Sequence, residues 1–294
     1  MHSHSDHLTK QVHEEHSGEW YDRMYNNRAL VPDFAEHFTR WQHQSELARQ
    51  DRRAVLDVAY GRGTKESLDI FPSDVPHSPV FVFIHGGYWR SLDKSDHSFI
   101  APALTKMGSC VVVPNYDLCP AVTIPQITMQ MVKCLAWVFN NIKHWGGDPR
   151  QIHLIGHSAG GHLAAMLMAC QWQHYDSELP VDLIKSALSI SGLFDLQPLV
   201  KTPFLMDSLL LTQTDALSCS PALMPAPNHG KLISVAGGSE SQEFIRQNHL
   251  IQEAWGEHRV PICEDLAGLN HFSVMTGLVT PHHRLYELAQ SLLD

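Results

Sequence analysis

The stretch IHLIGHSAGGHLAA, residues 152–165, constrains the fold more than any other part of the chain. An apolar run stops at Gly156-His157-Ser158-Ala159-Gly160, a GxSxG sequence, and a helical pattern rich in small residues takes over at once. A serine held between two glycines, with a strand before it and a helix after, requires a strained turn. Side chains at the flanking positions would collide there with neighbouring backbone. Such a turn lifts the serine Oγ clear at the carboxyl edge of a sheet, and the helix N-terminus adds backbone donors and a positive dipole. A parallel sheet clothed by helices is the setting in which that turn works.

The rest of the chain supplies the sheet. Runs such as VFVFI are apolar throughout, as strands covered on both faces must be. The pattern predicts strands over 54–60, 67–71, 80–84, 109–114, 152–155, 184–190, 231–236 and 262–266. Helices are predicted over 95–107, 125–143, 159–170, 243–253 and 282–293, with another around 33–49. Strand–helix alternation of this kind means an α/β fold with a mostly parallel, eight-stranded sheet and helices on both faces. No repeat, low-complexity tract or linker divides the 294 residues, so one domain is expected. It carries a polar, histidine-rich N-terminal extension over about residues 1–50. A second irregularity falls at about 197–229, where Pro198, Pro203, Pro221, Pro225 and Pro227 interrupt short apolar patches. A connection that long inside a compact domain reads as a lid.

Composition closes several routes. The net charge of −10, with no basic stripe, argues against nucleic acid or an anionic membrane as partner. No apolar run approaches the roughly 20 residues that span a bilayer. The N-terminus lacks the apolar core of a signal peptide. Six scattered cysteines without a CxxC pair point to reduced thiols in a cytoplasmic protein. Nothing calls for a cofactor or a metal. The GxG at Gly61–Gly63 reads as a hairpin turn rather than a nucleotide loop. His13-Glu14-Glu15-His16 is not HExxH, and MHSHSDH at the N-terminus reads as a polar tail.

The chemistry-bearing residues fall at predicted strand ends. Attack by Ser158 on a carbonyl creates an oxyanion that preorganised N–H groups must meet. Ala159 supplies one. The sequence HGGYW after the 80–84 strand lets backbone approach a substrate without side chains in the way, so Gly87 and Tyr88 are the further donors, with Gly86 as an alternative. Tyr88 and Trp89 are candidate pocket walls, and His85 is read as an anchor for the loop. In the chain order Ser…acid…His, His271 in GLNHFS is the candidate base among 21 histidines. Glu240, at the tip of the 231–236 strand, is the candidate acid and Asp195 its rival. Glu243 is expected on an exposed helix face.

The blocks HGGYW, NYDLCP, GHSAGGHLAAM, SGLFDLQPL, SQEFIRQ and GLNHF, in that order, resemble the kynurenine formamidase (arylformamidase) family. That family lies on the hormone-sensitive-lipase-like side of the α/β-hydrolases. The resemblance runs from about residue 80 to the C-terminus, and the earlier YNNRALVPDF is similar to related bacterial hydrolases. It implies an α/β-hydrolase fold, the family's nucleophile on Ser158, its base on His271, its acid on Glu240, and N-formyl arylamines such as N-formylkynurenine as substrates. Two positions depart from the family pattern, which more often has Asp in place of Glu240 and Asp in place of Asn270. The alternatives are a broad carboxylesterase for short acyl esters and a noncatalytic binding protein on a hydrolase scaffold.

A fluorophosphonate probe separates the last of these from both enzymes. Covalent labelling of the wild type, abolished by Ser158→Ala, is expected; an unlabelled wild type leaves the binding protein as the reading.

Overall fold

The computed structural model describes residues 16–294; the MHSHSDH stretch and His13-Glu14-Glu15 lie outside the described residues. Eight strands, β1 (Val55–Ala59), β2 (Ser67–Phe71), β3 (Ser78–Ile84), β4 (Cys110–Pro114), β5 (Gly147–His157), β6 (Ile184–Ile190), β7 (Lys231–Gly237) and β8 (Ile262–Leu266), form one sheet. Their order is β1-β2-β4-β3-β5-β6-β7-β8. Only β2 runs against the others: it pairs antiparallel with both β1 and β4, and every pairing from β4 to β8 is parallel. Gly61–Gly63 lies in the antiparallel β1–β2 connection, where Glu66 accepts from Arg62 N and Gly63 N.

The pleat explains why VFVFI has no polar position. Val80, Val82 and Ile84 enter one core, Phe81 and Phe83 the core on the opposite face, and all five are fully buried. Helices Ile124–Asn141, Ala159–Met168 and Gln242–Trp255 cover the first face. Phe34–Arg49, Ala101–Lys106, Val274–Leu278 and Arg284–Gln290 cover the second. A charged cluster pins the Phe34–Arg49 helix to the antiparallel edge. Fully buried Asp69 on β2 accepts from Lys94 Nζ at 2.7 Å and pairs with Arg49.

Three departures from the sequence pattern have local causes. β5 spans eleven residues, well beyond 152–155, because its Pro149 falls where the pairing with β3 shifts register and no ladder donor is needed. The predicted 95–107 helix divides into two 3-10 turns, Lys94–Asp96 and Ser98–Ile100, followed by Ala101–Lys106. Pro102, which lacks an N–H and would clash one turn back, fits only the first turn of a helix. The proline-interrupted segment holds more order than expected: helices Gln197–Val200, Pro203–Leu209 and Gln213–Ser218 and a turn at Pro221–Leu223.

The sequence pattern missed a helix at Gly18–Tyr25, and this helix ties the N-terminal segment to the rest. Asp22 Oδ1 accepts from Phe204 N at 3.0 Å, Ser241 donates to Met24 O at 2.6 Å, and Tyr25 Oη donates to Glu243 Oε2 at 2.5 Å. Glu243 is therefore buried, not exposed. It also takes a bidentate pair from Arg246, so its charge is compensated inside the protein.

Burial holds several histidines neutral. It pushes His97 down to about 3 and His153 and His162 down to about 4. Once unfolded, each takes a proton below about pH 6.5, so stability falls as pH drops from there toward the folded values. Each such histidine costs up to about 2 kcal/mol of stability between about pH 6.5 and pH 5. Urea unfolding should show this loss, and His153→Gln should flatten the pH slope by close to one proton; a wild-type slope of zero would refute the account.

Candidate active site

The β5 turn has the strain that its sequence demands. Ser158 has φ 56° and ψ −118°, and its N–H donates to Ile190 O on β6 at 2.8 Å. The flanking glycines leave no room for a side chain. A Cβ on Gly156 would stand 2.1 Å from Gly160 O, and one on Gly160 only 1.9 Å from Ile84 O at the end of β3. The close approach of turn, helix and neighbouring strand puts Ser158 at the carboxyl edge of the sheet.

The loop after β3 is held from beneath. His85 is fully buried, stacked on Tyr116 at 4.3 Å, with Nδ1 donating to Gly86 O at 2.8 Å and Nε2 3.1 Å from Asn115 Oδ1. Tyr116 Oη donates to His85 O at 2.9 Å, and Asn115 Nδ2 to Asp93 Oδ2 at 2.7 Å. The NYD sequence at 115–117 is thus the loop's mount. Gly86 packs so closely that a Cβ would lie 2.9 Å from His157 O and 3.1 Å from Ser158 Cβ. Gly87, Tyr88 and Trp89 follow with φ of 101°, 50° and 53°, a left-handed run that curls the backbone over the serine. Among the described residues no backbone or side-chain acceptor takes the N–H of Gly87 or Tyr88. Ala159 opens its helix, where the N–H has no intrahelical partner.

Two further strand ends complete the cluster. His271 follows β8, with Nε2 3.1 Å from Ser158 Oγ and Nδ1 2.6 Å from Glu240 Oε2. Glu240, after β7, is locked by its second oxygen, which accepts from Ser191 Oγ at 2.5 Å and Gly237 N at 2.7 Å. His157, which burial and the adjacent His271 push well below its ordinary value, donates from Nε2 to His271 O at 2.8 Å. Asp195 lies elsewhere: its Oδ1 caps the turn at 197, accepting from Gln197 N at 3.0 Å and Nε2 at 3.2 Å. The carboxylate on the imidazole is Glu240.

A cavity of about 540 Å³, counting its mouth, opens above Ser158 and His271. Tyr88 lines it, its phenol donating to Tyr25 O at 2.6 Å. Trp89 does not. Its ring is fully buried under the loop, edge-on to His162 at 4.9 Å, because the left-handed turn throws consecutive side chains to opposite sides. The aromatic wall is instead Phe38, Trp41, Phe204 and Phe272. Asn26, Asn27 and Arg28 from the N-terminal segment also line it, and Phe204 is the only lining residue from 197–229. Adjacency to His271 could have pointed to Phe272; nothing in the sequence marks Phe38 or Trp41 beyond their helical pattern. Among the described residues no three His, Cys, Asp or Glu side chains group to hold a metal, and no helix is long and apolar enough to cross a membrane.

The mostly parallel eight-stranded sheet, with this cluster at its carboxyl edge, makes the chain an α/β-hydrolase. A family model described as BD-FAE matches residues 68–200. A solved structure from Silicibacter sp. TM1040, assigned provisionally to the thioesterases, is 32% identical with a TM-score of 0.79, over 92% of this chain and 98% of that one. A Pyrobaculum calidifontis esterase shares the fold at 18% identity and a TM-score of 0.69, over 95% and 98%. The kynurenine formamidase of Salmo salar is 30% identical over 283 residues, 92% of each chain. That of Danio rerio is 29% identical over 87% of this chain and 88% of its own. The chain belongs to the kynurenine formamidase family.

The geometry ranks the two carboxylates. Glu240→Gln should lower kcat by up to roughly 10⁴, since a neutral amide neither fixes the imidazole tautomer nor stabilises its cation. Asp195→Asn should cost far less. Steady-state kinetics of the two variants check this, and the reverse ranking would remove Glu240 from the site.

Proposed function

We propose that this chain hydrolyses an N-formyl arylamine of the N-formylkynurenine type through a formyl-enzyme on Ser158. The observation that carries the reading is the continuous Glu240–His271–Ser158 hydrogen-bond line beneath an aromatic-walled cavity, in a chain related to kynurenine formamidases along most of its length. His271 Nε2 takes the Ser158 proton as Oγ attacks the formyl carbon. The N–H groups of Ala159, Gly87 and Tyr88 receive the oxyanion. The tetrahedral intermediate collapses with cleavage of the C–N bond, and His271 delivers its proton to the departing arylamine nitrogen. A water molecule, deprotonated by the same imidazole, then attacks the formyl ester, releasing formate and restoring Ser158. Glu240 remains ionised and holds the imidazolium in line.

The formyl group is the smallest acyl group, and the cramped space between Gly86, Ser158 and the left-handed loop suits it. Tyr88, Phe204, Phe272 and Trp41 offer faces for the aryl portion. The helices of 197–229 act as a cap over one side, within a single domain that includes the N-terminal extension. Six free cysteines, four of them buried, suit a cytoplasmic setting. Hydrolysis of short esters is the second reading, favoured by the fold shared with esterases and by the same nucleophile chemistry.

Parallel rates on N-formylkynurenine and p-nitrophenyl acetate test the choice. A higher kcat/KM on the formamide is expected, and the opposite order would establish an esterase. Ser158→Ala should cut both rates by about 10³-fold or more, leaving only binding and the oxyanion donors. Retention of even about a tenth of the activity would overturn the acyl-enzyme mechanism.

A further inference from the structure

We infer that Arg28, Arg90 and Asn27 form a carboxylate-binding subsite, so that the preferred substrate carries an anionic group on its arylamine portion. The inference rests on the formamidase reading of the cavity and extends it to the far end of the substrate.

The charge distribution is the first observation. The chain has ten more acidic than basic side chains. Yet the cavity above Ser158 is lined by two arginines and by no aspartate or glutamate. Among the described residues neither arginine has a carboxylate partner. Arg90 donates from Nη1 to Phe204 O at 2.9 Å and to Ser208 Oγ at 2.6 Å, with its guanidinium over the Phe204 ring at 5.3 Å. Arg28 has a single 3.4 Å contact with Ser91 Oγ and lies over Phe38 at 5.3 Å and Phe34 at 5.8 Å. Both cations are therefore held in place by rings and neutral oxygens while their charge stays uncompensated. Desolvation and the Arg28 charge each disfavour the charged form of Arg90. Two like charges set on one cavity without a counter-ion are unfavourable until an anion arrives.

Asn27 is the second, independent observation. It is 4% exposed, lines the same cavity, and among the described residues its Nδ2 has no hydrogen-bond partner. A buried amide donor without an acceptor keeps its full desolvation penalty, a cost that a bound carboxylate oxygen removes. Two guanidinium groups and the Asn27 Nδ2 give a donor-rich set, matching an acceptor-only ligand such as a carboxylate. N-formylkynurenine carries one on its amino-acid side chain, at the end away from the formyl group.

The test compares N-formylkynurenine with the neutral N-formyl-2-aminoacetophenone, which keeps the formanilide and its ortho ketone but lacks the amino-acid carboxylate. The wild type should favour N-formylkynurenine, the substrate that carries the carboxylate, in kcat/KM. Arg28→Gln and Arg90→Gln should each lower that preference about ten- to hundredfold, the value of a charge-assisted contact, chiefly through KM. Arg28 is exposed, so its variant keeps the fold even if Arg90→Gln loosens the 203–209 helix. Arg150→Gln removes an exposed charge at the start of β5 and should leave the preference at the wild-type value. An unchanged preference in both pocket variants, or equal losses on the two substrates, would overturn the subsite.

If the wild type turns over neither formamide, the formamidase reading falls, and the subsite is read by inhibition of p-nitrophenyl acetate hydrolysis. Stronger inhibition by 4-oxo-4-phenylbutanoate than by its methyl ester, lost in Arg28→Gln, then supports it. Equal inhibition by acid and ester overturns it.

Discussion

The contact between Gly160 and the Ile84 carbonyl sets the position of the whole site. A side chain at 160 would stand 1.9 Å from that oxygen, so the helix after Ser158 can sit where it does only because the residue there has no Cβ. The same closeness brings the end of β3, and with it the Gly86–Tyr88 backbone, against the serine. Ser158 pays for this with a left-handed φ, a strain that Gly156, Gly86 and the Ser158–Ile190 hydrogen bond make the lowest-energy arrangement available. Everything else at the sheet edge, from the imidazole to the carboxylate, is placed relative to the Ser158 Oγ.

The second layer of support is polar and buried. Asn115 and Tyr116 clamp His85, and Ser191 together with Gly237 N clamps Glu240. Ser191 has φ 52°, a second strained serine at the end of a central strand, and the sequence does not mark it. The second clamp satisfies one Glu240 oxygen and leaves the other facing His271 Nδ1, so that imidazole and the carboxylate meet in a single orientation. Order in this layer is what turns four loops into one geometry.

Sequence reading succeeded where chemistry or periodicity is local. Strand positions came through because alternate residues of runs such as VFVFI serve two cores, which forbids polar residues. Ser158, Glu240 and His271, each just beyond a strand end in the sequence pattern, are brought within hydrogen-bond reach of one another. It failed where position depends on docking between distant segments. Trp89 looked like a wall because it follows Tyr88, but three successive left-handed residues turned it into the core. Glu243 looked exposed by helical phase, and only the approach of Tyr25 and the neighbouring Arg246 makes its burial tolerable. Asn27, Phe38 and Trp41 reach the cavity because the N-terminal segment folds across it, which no local pattern encodes.

That last arrangement divides the protein's labour along the chain in a way that bears on its evolution. The groups proposed to break the bond come from loops rooted in the central sheet, where any change disturbs several neighbours at once. Much of the surface facing a bound molecule comes from residues 26–41, in a segment joined to the rest through hydrogen bonds, one aromatic cluster and the Arg49–Asp69 ion pair. Lineages could therefore exchange this leading segment, or drift within it, and acquire new preferences without rebuilding the reactive centre. Selection for a new diet of small molecules would leave its record near residue 30 rather than near the serine.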